Sequence, residues 1–146
     1  HITQQARDED VFRVTKVYEK IGVPHVVEPF FADLPNRIAE SHLVISRAGA
    51  STVSELSVIG RPGILVPLPG ALDQDQASNA ELLAKTGGAI VMAQNHFKPA
   101  ALAECIGKLV SEPTLLTGMA QAAKMAGVSD AASRLATEVL SLTARA

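Results

Sequence analysis

The sequence predicts an α/β domain: a parallel sheet with flanking helices. Three observations point there. Short β-branched runs alternate with helical stretches, the pattern of strands joined by crossover helices. Hydrophobic residues make up 47% of the chain but aromatics only 3%, so the core has to be built from Val, Ile, Leu and Ala, as in sheets covered on both faces. The length, 146 residues, is that of one ordinary domain with a sizeable core.

The elements follow in order. His1-Ile2-Thr3-Gln4-Gln5 reads as a strand that begins abruptly, so a piece of a longer protein is expected. Asp8, Glu9 and Asp10 suit the positive end of a helix over 8–21. Val14, Val17, Tyr18 and Ile21 recur in it at helical spacing, and Gly22 with Pro24 ends it. His25 to Phe30 is the second strand. Asp33 to Ser41 is a short helix that tolerates Pro35 in its first turn. Leu43 to Ser46 is a third strand, apolar enough to be buried on both faces. A small-residue turn, Arg47–Ser51, leads into a helix from about Thr52 to Ile59, stopped by Gly60 and Pro62. Gly63 to Pro67 is the fourth strand. A loop rich in Pro, Gly and Asp precedes a helix from about Gln76 to Lys85. Thr86-Gly87-Gly88 breaks it, and Ala89 to Ala93 is the fifth strand. Three helices close the chain, near 99–111, 114–126 and 130–144. Leu102, Ile106, Leu109 and Val110 share a face of the first, and Leu135, Val139 and Leu142 a face of the last.

Composition excludes several functions. The net charge is −2, and Lys and Arg are scattered with no basic stripe or aromatic platform, which argues against nucleic acid as a partner. A single cysteine, Cys105, leaves no internal disulfide or multi-cysteine zinc site and fits a reducing compartment; it reads as a packed helical thiol. His1, His25, His42 and His96 show no metal-ligand spacing. No apolar run approaches the ~20 residues of a membrane span.

In parallel sheets with crossover helices, ligands bind beyond the carboxyl ends of the strands. The loops that matter are therefore Gln4–Arg7, Phe30–Asp33, Arg47–Ser51 and Leu68–Gln76. In the third, Gly49 and Ala50 let a ligand approach the backbone, and the free amides of a helix start suit a phosphate. Thr52-Val53-Ser54-Glu55 has capping-box spacing, so one reading has Glu55 bonding back to the helix start. The other has Glu55 holding two vicinal ribose hydroxyls, as carboxylates do in dinucleotide folds. The fourth loop, Pro67 to Asn79, gathers amide and carboxylate side chains at a helix start. Amides both donate and accept, which suits sugar hydroxyls and acetamido groups, and Gln76 and Asn79 share a helix face. The plain alternative is a solvated helix start with Asp73 or Asp75 as N-cap. Phe30 and Phe31 are core residues or an apolar wall beside a base. Arg7 is a solvated loop arginine or faces a phosphate. No Gly-x-Gly-x-x-Gly follows a strand and no P-loop exists, so NAD and ATP sites are poorly supported.

These loops together resemble a known family. The carrying segments are Phe30 to Leu34, Ile45 to Leu56, Gly60 to Pro69, and Asp75-Gln76-Ala77-Ser78-Asn79-Ala80. Their order and spacing are similar to the C-terminal, donor-binding domain of the MurG family, the bacterial transferases that move N-acetylglucosamine from UDP-N-acetylglucosamine to lipid I, making lipid II for peptidoglycan. The resemblance implies the C-terminal half of a GT-B glycosyltransferase, with two Rossmann-like domains and the active site between them. It implies that the backbone at Phe31 reads uracil and that Glu55 holds the ribose. Ala50, Ser51 and Thr52 would line the diphosphate and sugar, with Arg47 and Gly49 in the same turn. Gln76 and Asn79 would bond the N-acetylglucosamine. Helix amides stand in for a metal in stabilising the UDP leaving group, so no metal or cofactor is implied.

Two departures limit the carry-over. Where the family has His-Gln and a Gly two residues on, Gln4, Gln5 and Arg7 stand here, and Asp75 replaces the residue usually preceding Gln76. Gln5 and Asp75 are therefore weaker donor contacts. The general base, the lipid I site and the membrane association belong, by resemblance, to an N-terminal half outside this chain. The implied location is the cytoplasmic side of the bacterial inner membrane, held peripherally. The chain alone is expected to bind UDP-sugar weakly and transfer nothing. Two other readings are a stand-alone UDP-N-acetylglucosamine-binding subunit that needs a membrane partner and a UDP-sugar epimerase-like domain.

Overall fold

The computed structural model describes residues 1–70 and 75–143. The chain divides into two compact units, His1–Glu40 and Ser41–Ala146. All paired strands run parallel, in a two-stranded set and a three-stranded set.

In the first unit, β1 (Ile2–Gln5) pairs with β2 (His25–Glu28) in the register Ile2↔His25 to Gln5↔Glu28, and the crossover is α1 (Asp8–Ile21). Tyr18 on α1 donates its hydroxyl to Gln4 Oε1 at 2.5 Å and lies 5.3 Å from the His25 ring. The helix exists as expected, but Val17 and Ile21 are exposed, while Val11, Val14 and Tyr18 are half-buried. The face turned to the strands is thus centred one residue to the side of the expected one, because 3.6 residues per turn place Val11, Val14 and Tyr18 in one row. α2 (Leu34–Glu40) is one residue shorter at each end than expected, with Asp33 O receiving the N–H groups of Asn36 and Arg37.

The second unit alternates β3 (Val44–Ser46), α3 (Ala50–Ile59), β4 (Gly63–Leu65), α4 (Asp75–Lys85) and β5 (Ala89–Val91). It then adds α5 (Pro99–Ser111), α6 (Pro113–Ala126) and α7 (Ala131–Thr143). The strand order is β3-β4-β5, with Ile45↔Ile64 and Ile64↔Ile90 in register. β4 is central and wholly buried, and β3 lies at the edge of this sheet, which corrects the expectation for the third strand: Ile45 is exposed.

Side chains alternate across β4. Ile64 packs with Leu109 of α5 and Met119 of α6, joined by Leu102, Cys105, Ile106 and Leu116. Gly63 lies against Leu56 of α3, on the other side. Full burial of Ile64 and Leu65 contributes roughly 1.5–3 kcal/mol each. Val110 is exposed, because it lies most of a quarter turn away from the Leu102–Ile106–Leu109 row. α3 ends at Gly60, whose φ of 82° is the left-handed cap an L side chain resists. Gly127, just after α6, meets Ser57 O with no room for a Cβ. On α7, Leu135, Val139 and Leu142 are all exposed.

Candidate functional site

The site is built from the turn between β3 and α3. Ser46 ends β3, its carbonyl accepting from Val66 N–H at 2.8 Å, and the chain then turns through Arg47-Ala48-Gly49. α3 starts at Ala50, two residues earlier than expected, with Gly49 as N-cap at φ −62°, ψ 147° and no side-chain cap. Its first helical bond is Val53 N–H to Gly49 O at 3.0 Å. The N–H groups of Ala50, Ser51 and Thr52 consequently have no acceptor among the described residues, at the positive end of the helix dipole. Gly49 supplies open space rather than an unusual torsion: a Cβ there would meet nothing within 4 Å. Ala50 and Ser51 are exposed. A small, uncapped, electropositive helix start of this kind suits an anion.

The earlier start of α3 overturns the capping-box reading. Thr52 is the third residue of the helix, not its N-cap, so Glu55 lies a turn further in and cannot bond back to the start. Glu55 is half-buried and has no hydrogen-bond or ion-pair partner among the described residues. Its carboxylate, an acceptor only, is available to hydroxyl groups.

α4 brings Gln76 and Asn79 to the same region, both half-buried. Gln76 Oε1 accepts from Leu68 N–H at 3.0 Å, so its free end is the amide NH2. Asn79 has the opposite polarity: its Nδ2 donates to Ala48 O at 3.2 Å, which leaves its carbonyl oxygen free. Asp75 is the first residue of α4, exposed, not its N-cap; Asp73, the other cap candidate, lies outside the described residues. Arg47 is engaged with protein: Nη1 donates to Val66 O at 3.2 Å, Pro67 O at 3.4 Å and Gln94 Oε1 at 2.7 Å. One guanidinium nitrogen therefore links the ends of β3, β4 and β5. Gln94 carries no sequence signal of its own and stands after the fifth strand.

Beside this turn, a cleft of about 700 Å³ opens between Pro67–Gly70, Ala77, Val91, Gln94 and Lys98. It shares the Pro67–Leu68 segment with the Arg47 bonds but is not lined by Ala50, Ser51, Thr52 or Glu55.

The first unit holds Gln5, Phe30 and Phe31. Gln5 donates Nε2 to Pro29 O at 3.0 Å. Phe30 is exposed, whereas Phe31 is buried at 4% exposure beneath the Arg37 guanidinium, 4.3 Å from its ring centre. The Phe31 backbone N–H and C=O make no hydrogen bond among the described residues. Asp33 pairs with Arg37 at 2.8 Å, and that hydrogen bond holds its carboxyl below the usual range. Arg7 is solvated, 3.9 Å from Glu9.

Comparison with known proteins gives this geometry its context. The family described as glycosyltransferase family 28 C-terminal domain matches residues 1–135. A UDP-N-acetylglucosamine--N-acetylmuramyl-(pentapeptide) pyrophosphoryl-undecaprenol N-acetylglucosamine transferase of Rhodopseudomonas palustris strain BisB18 is 57% identical over 135 residues, covering 92% of this chain and 36% of that protein. The enzyme of the same name from Nitrobacter hamburgensis is 54% identical over 139 residues, covering 95% of this chain and 38% of its own length. The chain thus spans little more than a third of these relatives. Among solved structures, MurG of Acinetobacter baumannii superposes with a TM-score of 0.88 at 30% identity, covering 95% of this chain and 42% of that one. The spinosyn forosaminyltransferase SpnP, at 17% identity and a TM-score of 0.60 over 95% of this chain and 43% of that one, shares the fold.

Proposed function

Because the chain belongs to the glycosyltransferase family 28 C-terminal domain family, we propose that it binds the nucleotide-sugar donor, UDP-N-acetylglucosamine, for an inverting hexosyltransferase. The observation that carries the reading is the uncapped start of α3, with three amides lacking acceptors and an unpartnered carboxylate one turn on. The Ala50, Ser51 and Thr52 amides take the diphosphate. Glu55 takes the ribose hydroxyls. Gln76 and Asn79 face the sugar with opposite hydrogen-bonding polarity, which suits a group carrying both hydroxyls and an acetamide. In the first unit, the free backbone groups of Phe31 are assigned to a base edge.

In the transfer itself, an acceptor hydroxyl attacks the anomeric carbon and UDP departs. Negative charge then grows on the diphosphate, and the α3 amides stabilise it electrostatically. No base is assigned within these residues. The acceptor is lipid I and the product lipid II, in keeping with the name of the R. palustris relative, with the acceptor site and membrane contact supplied by sequence outside this chain. The work is assigned to the cytoplasmic face of the bacterial inner membrane, peripherally. Among the described residues, no helix is long and apolar enough to cross a membrane.

The test is calorimetric titration with UDP-N-acetylglucosamine, UDP-glucose and ADP-glucose. Uridine ligands are expected to bind at least about tenfold more tightly than ADP-glucose, since a base edge read by hydrogen bonds rejects a base of the wrong pattern. Equal binding of the uridine and adenosine ligands removes the reading.

A further inference from the structure

We propose that Asn79 is a positioning residue of the diphosphate turn as well as a neighbour of the sugar. The inference rests on the reading of the α3 start as a nucleotide-diphosphate site. It comes from what the Asn79 amide already touches.

Ala48 is the hinge of the turn. It lies between Ser46, held by Val66 N–H just past β4, and Gly49, which caps α3. It is completely buried, so its carbonyl has no water to fall back on. Asn79 Nδ2, 3.2 Å away on α4, is the partner that carbonyl has among the described residues. The bond fixes the plane of the peptide that leads into the free N–H groups of α3. It also ties the helix bearing the sugar contacts to the helix bearing the anion site. Gln76, one turn earlier on α4, holds the Leu68 N–H and not the turn, so the two amides divide their tasks.

This division makes a prediction that a sugar contact alone does not. UDP has no sugar. If Asn79 acted only on the sugar, its loss would leave UDP binding untouched. If it sets the Ala48 peptide, UDP binding weakens as well. An Asp at this position tests the polarity: it keeps the free acceptor but places a carboxylate oxygen against the Ala48 carbonyl.

The experiment is titration of the 146-residue chain and its variants with UDP and with UDP-N-acetylglucosamine. Asn79→Ala is expected to weaken UDP about five- to tenfold, the scale of one lost hydrogen bond to a buried carbonyl. Asn79→Asp is expected to weaken it further. Gln76→Ala is expected to leave UDP within about twofold while weakening the UDP-sugar. Unchanged UDP affinity in Asn79→Ala, with reduced affinity for the UDP-sugar, overturns the proposal. Amide exchange in the ligand-free protein supplies a second measurement. Val53 N–H, which closes the first turn of α3 on Gly49 O, should lose protection in Asn79→Ala while Ile64 in β4 keeps it. Unchanged Val53 protection overturns the proposal even if no nucleotide binds. Failure of the unmodified chain to bind UDP overturns the donor-site reading beneath it.

Discussion

Truncating Glu55 separates binding from stability with opposite expected signs. The carboxylate is half-buried on the second turn of α3 and no described side chain or backbone group holds it. Glu55→Ala therefore removes nothing that the ligand-free fold uses. Alanine is also the better helix former, so unfolding free energy should stay within about 0.5 kcal/mol or rise. Binding should behave otherwise. A hydrogen bond to a charged group contributes about 1.5–3 kcal/mol, and each 1.4 kcal/mol is a factor of ten. One ribose hydroxyl on Glu55 is then a factor of about ten, and two hydroxyls on one carboxylate approach a hundred when part of the solvation lost is allowed for.

The assay is a cycle of two proteins and two ligands: the unmodified chain and Glu55→Ala, each titrated with UDP and with 2′-deoxy-UDP. The unmodified chain should prefer UDP by about tenfold, and Glu55→Ala should bind both ligands equally weakly. Thermal unfolding without ligand accompanies each titration. Persistence of the ribose preference in Glu55→Ala refutes the assignment. So does a fall in melting temperature large enough to account for the lost affinity, because it means Glu55 serves the fold.

Two further predictions concern what holds the site in place. Gly127→Ala puts a Cβ 2.6 Å from Ser57 O and 2.9 Å from Val58 Cα, both backbone atoms of α3, so α6 has to move off α3. Overpacking of this kind costs about 1–3 kcal/mol, to be read as a lower urea midpoint; an unchanged midpoint contradicts the contact. The Asp33 carboxyl is held below its ordinary value, first by the hydrogen bond from Arg37, so the stabilisation is present above the ordinary carboxylate range and is lost as pH falls through the lowered value. Asp33→Asn should thus melt earlier than the unmodified chain near neutrality and converge with it in strong acid. A difference that does not narrow as pH falls through and below the carboxylate range refutes the pairing as its source.

Much of the fold was legible because its elements are short and well punctuated. Gly22, Gly60 and the Thr86-Gly87-Gly88 break each stand where an element ends in the structure. What the pattern misjudged was exposure. Val17, Ile21 and Val110 are apolar and at helical spacing, but a period specifies a stripe about a quarter turn wide, and only neighbours decide where its centre lies. Ile45 is exposed for a similar reason: a run of apolar residues does not tell which face of the strand is covered. The candidate residues were legible as residue types, Gln76 and Asn79 at a shared helix face above all. Their hydrogen-bonding polarity was not, since it depends on Leu68 N–H and Ala48 O, backbone groups that only the fold brings against them.

The start of α3 shows most clearly why backbone partners decide function here. Thr52-Val53-Ser54-Glu55 satisfies a common capping motif, and had the helix begun after Thr52, Glu55 would have been consumed in closing its own first turn. The helix begins at Ala50 instead, and a glycine stands at its cap. That shift of two residues leaves three N–H groups and one carboxylate without partners on the same short stretch of chain. Arg47 and Asn79, by contrast, are committed to carbonyls at Val66, Pro67 and Ala48. The polar groups of the site thus divide into those that brace the turn and those the fold leaves open. An anion with adjacent hydroxyl groups, which a nucleoside diphosphate presents in one molecule, is complementary to the open set.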